Sequence, residues 1–153
     1  MTARPPLNDT SLNRMTPAEI KRAIAVDAAC SGNPGPMEYR GVLLPEGREI
    51  FHFGPIQGTN NIGEFLAIVH ALALQWQHKT SLPIYTDSRT ALAWLRKRKS
   101  GTKLAATPQT ARALELVERA EKWLATHDYS HISILKWETE LWGEVPADFG
   151  RKK

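Results

Sequence analysis

The stretch AVDAACSGNPGPMEYRGV, residues 25–42, places one acid inside an apolar segment and then turns the chain sharply. Residues 23–28 have the composition of a buried strand, which only Asp27 interrupts. The glycine and proline residues that follow end this strand. Residues 39–44 and 49–53 are predicted to be two further strands, because both lie beside a short turn. We therefore predict an antiparallel three-stranded meander at the start of the domain.

Beyond the meander, helical and strand patterns alternate along the chain. Apolar residues recur every three or four positions in three segments, whereas two shorter segments have the pattern of strands. The predicted helices are 64–76, 88–96 and a segment capped by Thr107 that runs to about residue 125, the predicted strands are 82–86 and 132–136, and a stub of helix is predicted at 146–151. This order of elements indicates an α/β domain with a mixed sheet.

The bulk properties fit one globular domain. The length of 153 residues predicts a single domain, over 23–153. Residues 1–22 are polar and lack periodicity, so we predict that they form a flexible N-terminal tail. The net charge of +4 favours polyanionic partners only weakly. Cys30 is the only cysteine, which argues against an internal disulfide and against thiol-ligated zinc. No segment resembles a signal peptide or a membrane span, so we expect a cytoplasmic protein.

Four acidic residues are candidates for a common site. Asp27 lies in a strand interior, where a lone carboxylate is costly unless it is paired or binds a metal ion. Asp87 follows a short strand and precedes a helix, the position at which open α/β sheets place their sites. Glu64, at the start of a helix, and Asp148, near the C-terminus, complete the set.

Three of these acids also have a purely structural explanation. Glu64 lies three residues after Asn61, which is the spacing of an N-terminal capping pair. Asp87 could cap the helix that follows it, and Asp148 could be an ordinary solvated acid. Spacing alone does not bring the four acids together.

Four motifs in order resemble those of the type 1 ribonuclease H family. The stretch 25–42 resembles the first strand and glycine–proline turn of that family, and TNNIGE, residues 59–64, resembles the turn that leads to its helix-borne glutamate. YTDS, residues 85–88, and PADFGR, residues 146–151, resemble its third and fourth acidic sites. The resemblance covers about 23–151 and implies a ribonuclease H-like fold, with a five-stranded mixed sheet flanked by helices.

The resemblance also implies a metal-dependent endonuclease that hydrolyses the RNA strand of RNA–DNA hybrids. Catalysis would use Asp27, Glu64, Asp87 and Asp148 as ligands of two Mg²⁺ ions, for which Mn²⁺ could substitute, because oxygen-only ligands suit these metals. Two such ions about 3.5–4 Å apart can stabilise an in-line phosphoryl displacement. The expected products carry 5′-phosphate and 3′-hydroxyl ends, and a monomer without an obligate protein partner is expected.

Substrate contacts are implied by the same resemblance. Asn33, Asn60 and Asn61 are expected to reach the minor groove and the RNA backbone, and Thr59 to help hold a DNA phosphate; the alternative is that the asparagines only form turns. The basic run Arg96, Lys97, Arg98 and Lys99 lies where many family members carry a basic substrate-binding segment. The alternative for this run is a solvated helix end, where cations are favourable.

The sequence departs from the family pattern in its last segment. Many members carry a histidine ten residues before the final aspartate, whereas this chain has Glu138 there. Glu138 is therefore the candidate for the step that the histidine assists, with Glu140 and Glu144 as alternatives. The usual long C-terminal helix is also missing, so Asp148 must be held by a short segment, for which Trp142 and Phe149 are the candidate anchors.

Two other functions remain open at this point. One is a DNA nuclease of the same fold, and the other is a hybrid-binding protein with weakened catalysis. The TNNIGE motif argues against the first, and the presence of all four acids argues against the second.

Overall fold

The predicted antiparallel meander forms three of the five strands of a single sheet in the computed structural model, which describes residues 22–148. The elements are β1 (Ala23–Cys30), β2 (Gly35–Leu44), β3 (Arg48–Gly58), α1 (Asn60–His78), β4 (Ile84–Thr86), α2 (Arg89–Lys97), α3 (Ala111–Thr126), β5 (Ile134–Lys136) and α4 (Thr139–Trp142). The predicted tail lies almost wholly outside the described residues. Within them, no helix combines the length and the apolar character needed to cross a membrane.

The sheet is mixed, with the strand order β3-β2-β1-β4-β5. β2 runs antiparallel to both β1 and β3, whereas β4 runs parallel to both β1 and β5. This arrangement confirms the predicted five-stranded mixed sheet. The carboxyl ends of β1, β4 and β5 lie towards the same edge, because these three strands are parallel.

The two faces of the sheet have separate hydrophobic cores, and alternate side chains of β1 contribute to each of them. Ile24, Val26 and Ala28 pack with apolar residues of α1, α2 and α3 on one face. Ala23 and Ala25 pack on the opposite face, in a cluster that also contains the buried residues Tyr85, Trp137, Val145 and Ala147. Because side chains alternate along a strand, Asp27 belongs to the second face, which the C-terminal segment covers.

The start of α3 corrects one sequence prediction. The N-cap is Thr110 rather than Thr107, and the helix begins at Ala111. The Thr110 hydroxyl donates to the Ala105 carbonyl at 2.7 Å and accepts from the Thr107 amide at 2.9 Å. These hydrogen bonds close a turn before the helix, so the Thr-Pro signal marks that turn.

The C-terminal segment corrects a second prediction. The described part of the predicted stub, residues 146–148, is not helical, and a short helix lies earlier at Thr139–Trp142. Val145 and Ala147 are buried against the second core. Their burial requires the chain to follow the sheet surface, which explains why a helix does not form there.

Candidate active site

Three of the four predicted acids converge. Carboxylate oxygens of Asp27, Glu64 and Asp87 all lie within 4.8 Å of one another, in an arrangement that could hold a metal ion. Asp27 and Glu64 are 0% and 1% exposed, respectively. Three acids so close together favour the binding of cations, because their negative charges repel one another in a site of low polarity.

Close packing of α1 against the sheet brings Glu64 to this position. A Cβ atom at Gly63 would lie only 2.8 Å from the Ala28 Cβ atom and 2.9 Å from the Met37 sulfur. Only a glycine therefore allows this approach without displacement of its neighbours. The adjacent Glu64 thus reaches Asp27 because the sequence places a glycine immediately before it.

The capping explanations for Glu64 and Asp87 are wrong. The N-cap of α1 is Thr59, whose hydroxyl accepts from the Ile62 amide at 3.2 Å. The N-cap of α2 is Ser88, whose hydroxyl accepts from the Ala91 amide at 3.0 Å. Since neighbouring hydroxyl side chains cap both helices, capping does not account for the positions of the Glu64 and Asp87 carboxylates.

Asp148 is not a member of this compact group of three acids. It ends the described chain, where its amide donates to the Val145 carbonyl at 2.8 Å and its Oδ1 atom is buried. Arg40 of β2 donates to the Asp148 carbonyl at 2.7 Å. Because Arg40 pairs in register with Asp27, Asp148 is held beside the strand of the central acid.

Glu64 and Asp87 open into a cleft of about 500 Å³. Its lining residues are Asn60, Glu64, Asp87, Ser88, Arg89, Thr90, Lys136, Glu138, Thr139 and Glu140. Glu138 and Glu140 therefore share a cleft with two of the clustered acids, whereas Glu144 is exposed and does not line it. Glu138 precedes α4 as its N-cap residue and is partly buried.

A second groove, of about 580 Å³, is lined by three of the eight predicted substrate residues. Asn33, Thr59 and Asn61 line it together with Trp94 and with Lys103 from the loop after α2. Asn60 faces the first cleft instead. The TNN turn therefore lies between the two cavities and contributes to both.

Cys30 supports the turn that presents Asn33. Its thiol donates to the Gly32 carbonyl at 2.8 Å and lies 3.5 Å from the Gly58 carbonyl oxygen. Burial raises the pKa of this thiol. The group therefore stays protonated at neutral pH and acts as a hydrogen-bond donor within the turn.

The basic run lies apart from the second groove. Arg96, Lys97, Arg98 and Lys99 are exposed at the end of α2, and none of them lines the second groove. Arg98 caps the helix in the left-handed conformation, and its guanidinium lies 5.2 Å from the centroid of the Tyr129 ring. Lys103 is the cation that the structure groups with the predicted substrate residues.

Two cationic residues of the cleft, Lys136 and Arg89, were not among the sequence predictions. Lys136 ends β5 in register with Thr86, which immediately precedes Asp87, and Arg89 begins α2. Both line the cleft of the acids. The position of Lys136 at the carboxyl end of a parallel strand is a signal that sequence analysis could have used.

The fold and the site together define an α/β domain with an oxygen-only cluster of acids that could hold a metal ion. A family model described as RNase H matches residues 20–136. The chain is 31% identical over 119 residues to the Ribonuclease H of Bartonella quintana, covering 74% of this chain and 72% of that protein. It is 30% identical over 119 residues to the Ribonuclease H of Legionella pneumophila (strain Corby), covering 77% and 81%, respectively.

Among solved structures, the N-terminal RNase H domain of a Mycobacterium tuberculosis protein, fused to maltose binding protein, is similar with a TM-score of 0.47 and 20% identity. The match covers 77% of this chain and 86% of that one. On the family model and the sequence relatives, the chain belongs to the ribonuclease H family. The family predicted from the four motifs is thus confirmed.

Proposed function

We propose that this protein is an endonuclease that hydrolyses the RNA strand of RNA–DNA hybrids with the help of two Mg²⁺ ions. Membership of the ribonuclease H family supports the reaction. The observation that carries the proposed mechanism is the convergence of Asp27, Glu64 and Asp87 to within 4.8 Å, beside a cleft large enough for a sugar–phosphate unit.

The donor set fits hard divalent cations. All three clustered side chains offer carboxylate oxygens, which suit Mg²⁺ or Mn²⁺ better than metals that prefer nitrogen or sulfur. Oxygen atoms of Asp27 and Glu64 are buried, and a buried group of acids requires positive charge nearby. Asp27, Glu64, Asp87 and Asp148 are the residues that would hold the ions, with Asp27 in the central position.

Bound metal ions would supply an activated water and would neutralise charge on the scissile phosphate. In the proposed hydrolysis, the water oxygen forms a bond to phosphorus while the bond from phosphorus to the 3′ oxygen breaks. The water loses a proton to solvent, and the 3′ oxygen takes one up, which leaves 5′-phosphate and 3′-hydroxyl ends. Lys136 and Arg89 add positive charge to the cleft wall, where they would attract the RNA phosphates.

The two cavities provide separate places for the two strands. The RNA strand would lie in the first cleft, where Asn60 is beside the acids. The DNA strand would lie along the second groove, where Thr59 and Lys103 offer donors to a phosphate, and Asn33 and Asn61 line the same groove on the side of the RNA strand. Since only the 2′-hydroxyl distinguishes RNA from DNA, the asparagines between the cavities are the proposed readers of the sugar.

The proposed function predicts strict dependence on both substrate and metal. End-labelled RNA–DNA hybrid should be cut in its RNA strand when Mg²⁺ or Mn²⁺ is present, and chelation should stop the reaction. Duplex DNA of the same sequence and single-stranded RNA serve as controls. Preferred cutting of duplex DNA would instead identify a DNA nuclease of this fold, and tight hybrid binding without cutting would identify a binding protein.

We also propose that Glu138 assists turnover from the wall of the cleft. A glutamate carboxyl group is ordinarily ionised at neutral pH, so it would accept a proton or contact a cation transiently. Its place beside Glu64 and Asp87 supports this role. Glu140 lines the same cleft and is the nearest alternative, followed by the exposed Glu144.

Glu138→Gln is expected to lower kcat about tenfold with little change in hybrid affinity, because a role in release contributes less than general acid–base assistance, which is typically worth about 10²–10⁴-fold. Glu138→His should retain more activity, because imidazole can also accept a proton. Steady-state kinetics of Glu138→Gln, Glu140→Gln and Glu144→Gln would compare the three candidates, with Glu118→Gln on the exposed side of α3 as the matched control. Normal kcat in Glu138→Gln combined with a slow Glu140→Gln or Glu144→Gln would move the role to that residue.

A further inference from the structure

The segment that carries Asp148 is held to the sheet by an arginine that none of the sequence motifs singles out. Arg40 of β2 donates from Nε to the Ala147 carbonyl at 2.7 Å and from Nη2 to the Asp148 carbonyl at 2.7 Å. Its Nη1 atom lies 3.5 Å from the Glu49 carboxylate. Two N–H groups on one edge of the planar guanidinium therefore bind two successive carbonyls, which is the geometry that the rigid donor fork of arginine favours.

The register of the sheet gives this contact its functional meaning. Arg40 pairs directly with Asp27 across the antiparallel β1–β2 ladder. Side chains of directly paired residues lie on the same face with their Cβ atoms roughly 4.5–5.5 Å apart. The residue that holds the backbone of Asp148 is thus the cross-strand neighbour of the central acid.

Hydrophobic contacts alone do not fix the orientation of Asp148. Val145 and Ala147 are buried in the second core and determine where the segment runs. The peptide group between Ala147 and Asp148 is held on its amide side, because the Asp148 amide donates to the Val145 carbonyl at 2.8 Å. The two hydrogen bonds from Arg40 hold the carbonyl side of this peptide group and the Asp148 carbonyl that follows it.

We infer that Arg40 is a positioning residue that fixes the Asp148 carboxylate towards the acids by binding the backbone of residues 147 and 148. This inference rests on the proposed function for its catalytic meaning. The guanidinium nitrogens that bind the carbonyls act on the chain rather than on the substrate.

Hydrogen exchange of the protein without metal or hybrid tests the structural part. Arg40→Met keeps the length of the side chain and removes its donors. In this variant, the amide of Asp148 is expected to exchange about tenfold faster or more, because hydrogen bonds to a charged group are lost. Exchange in β1 and α1 should not change. Glu49→Gln is the matched control, since it alters the third contact of Arg40 and leaves both carbonyl contacts in place.

The link to the site is tested by Mn²⁺ binding and by kinetics. Calorimetry without hybrid should show Mn²⁺ affinity about tenfold weaker in Arg40→Met, in line with other losses of ligand support. The Mg²⁺ concentration for half-maximal turnover should rise similarly, with little change in the KM for hybrid. Arg40→Lys keeps the charge but cannot form two parallel hydrogen bonds, so its Mn²⁺ affinity and Mg²⁺ requirement should lie between those of Arg40→Met and the unmodified protein. If Arg40→Met does not fold, Arg40→Lys is used for both measurements.

Two results would overturn the inference. One is unchanged exchange at Asp148 in both Arg40 variants. The other is a raised KM for hybrid with normal Mn²⁺ affinity, which would make Arg40 a substrate contact. If the unmodified protein cuts no hybrid, the proposed function fails, whereas hydrogen exchange and Mn²⁺ affinity still decide whether Arg40 positions the acid.

Discussion

Replacement of Asp27 by asparagine is expected to abolish nearly all hybrid cleavage while the protein stays folded. Asp27 is fully buried, its carboxylate lies within 4.8 Å of those of Glu64 and Asp87, and we propose it as the central metal ligand. Metal ions contribute several kcal/mol of transition-state stabilisation, so the loss should be on the order of 10³-fold or more. Single-turnover assays at saturating protein, with Mg²⁺ varied, would measure it.

Stability measurements distinguish a lost ligand from a damaged fold. Without divalent metal, Asp27→Asn should have a thermal midpoint equal to or above that of the unmodified protein, because the change relieves repulsion among the acids. Added Mn²⁺ should raise the midpoint of the unmodified protein and have less effect on the variant, since binding to the folded state stabilises it.

Asp128→Asn is the matched control for this experiment. Asp128 is an exposed acid whose carboxylate accepts hydrogen bonds from Ser130, and its loss should leave cleavage unchanged. Turnover by Asp27→Asn at the rate of the unmodified protein, at matched metal concentration, would contradict the proposed two-metal mechanism.

The second large effect is expected from the exposed cations. Neutralising Arg96, Lys97 and Lys99 together should weaken binding to hybrids of any sequence, if these residues contact phosphates. Each lost phosphate contact reduces the slope of log affinity against log salt by roughly 0.7–0.9, so three contacts reduce it by about two units. Such a change corresponds to about a hundredfold loss of affinity at 0.1 M salt.

The structure suggests how this salt experiment should be divided. Arg98 is kept, because its guanidinium lies over the Tyr129 ring and its removal would disturb the fold. Lys103→Gln is measured separately, since Lys103 lines the groove with Thr59 and Asn61. We expect the largest loss of affinity per residue at Lys103.

A control variant that loses the same number of positive charges distinguishes the loss of phosphate contacts from the loss of net charge. Arg48, Arg119 and Lys122 lie away from both cavities, since none of them lines either one. Neutralising them together should change the salt slope much less than the triple variant of the basic run does. Equal slopes in both triple variants would show that the run is only a solvated helix end.

The sequence predicted the sheet well because alternation and turn residues are local signals. Five strands and three main helices overlap the predicted segments, although β2 begins four residues earlier, at Gly35, β3 extends to Gly58, and α1 begins four residues earlier, at Asn60. Helix starts were less predictable. Thr107 and Thr110 both suit a cap, and the Thr107 hydroxyl even accepts from the Thr110 amide at 3.2 Å, so only the backbone conformation shows that the helix begins at Ala111, after Thr110.

The C-terminal anchor is a second case in which local signals were insufficient. Trp142, a predicted anchor, does pack against the second core, with its ring beside those of Trp137 and Tyr85. The more deeply buried ring, which was not predicted, is that of Trp137, which is 1% exposed and donates to the Gly143 carbonyl. The other predicted anchor, Phe149, lies outside the described residues. Which tryptophan is buried depends on the face of the sheet that the segment covers, and this information is not local.

The sequence by itself determined the family, the order of elements and the identity of the four acids, because motifs and periodicity are properties of neighbouring residues. It could not determine that Glu64 and Asp87 are not capping residues, that Lys103 and Lys136 line the cavities, or that Arg40 holds the backbone of Asp148. These facts depend on strand register and on the close packing that Gly63 permits. Only the tertiary structure decides them, because each contact joins residues that are distant in the chain and whose side chains meet only once both sheet faces are packed.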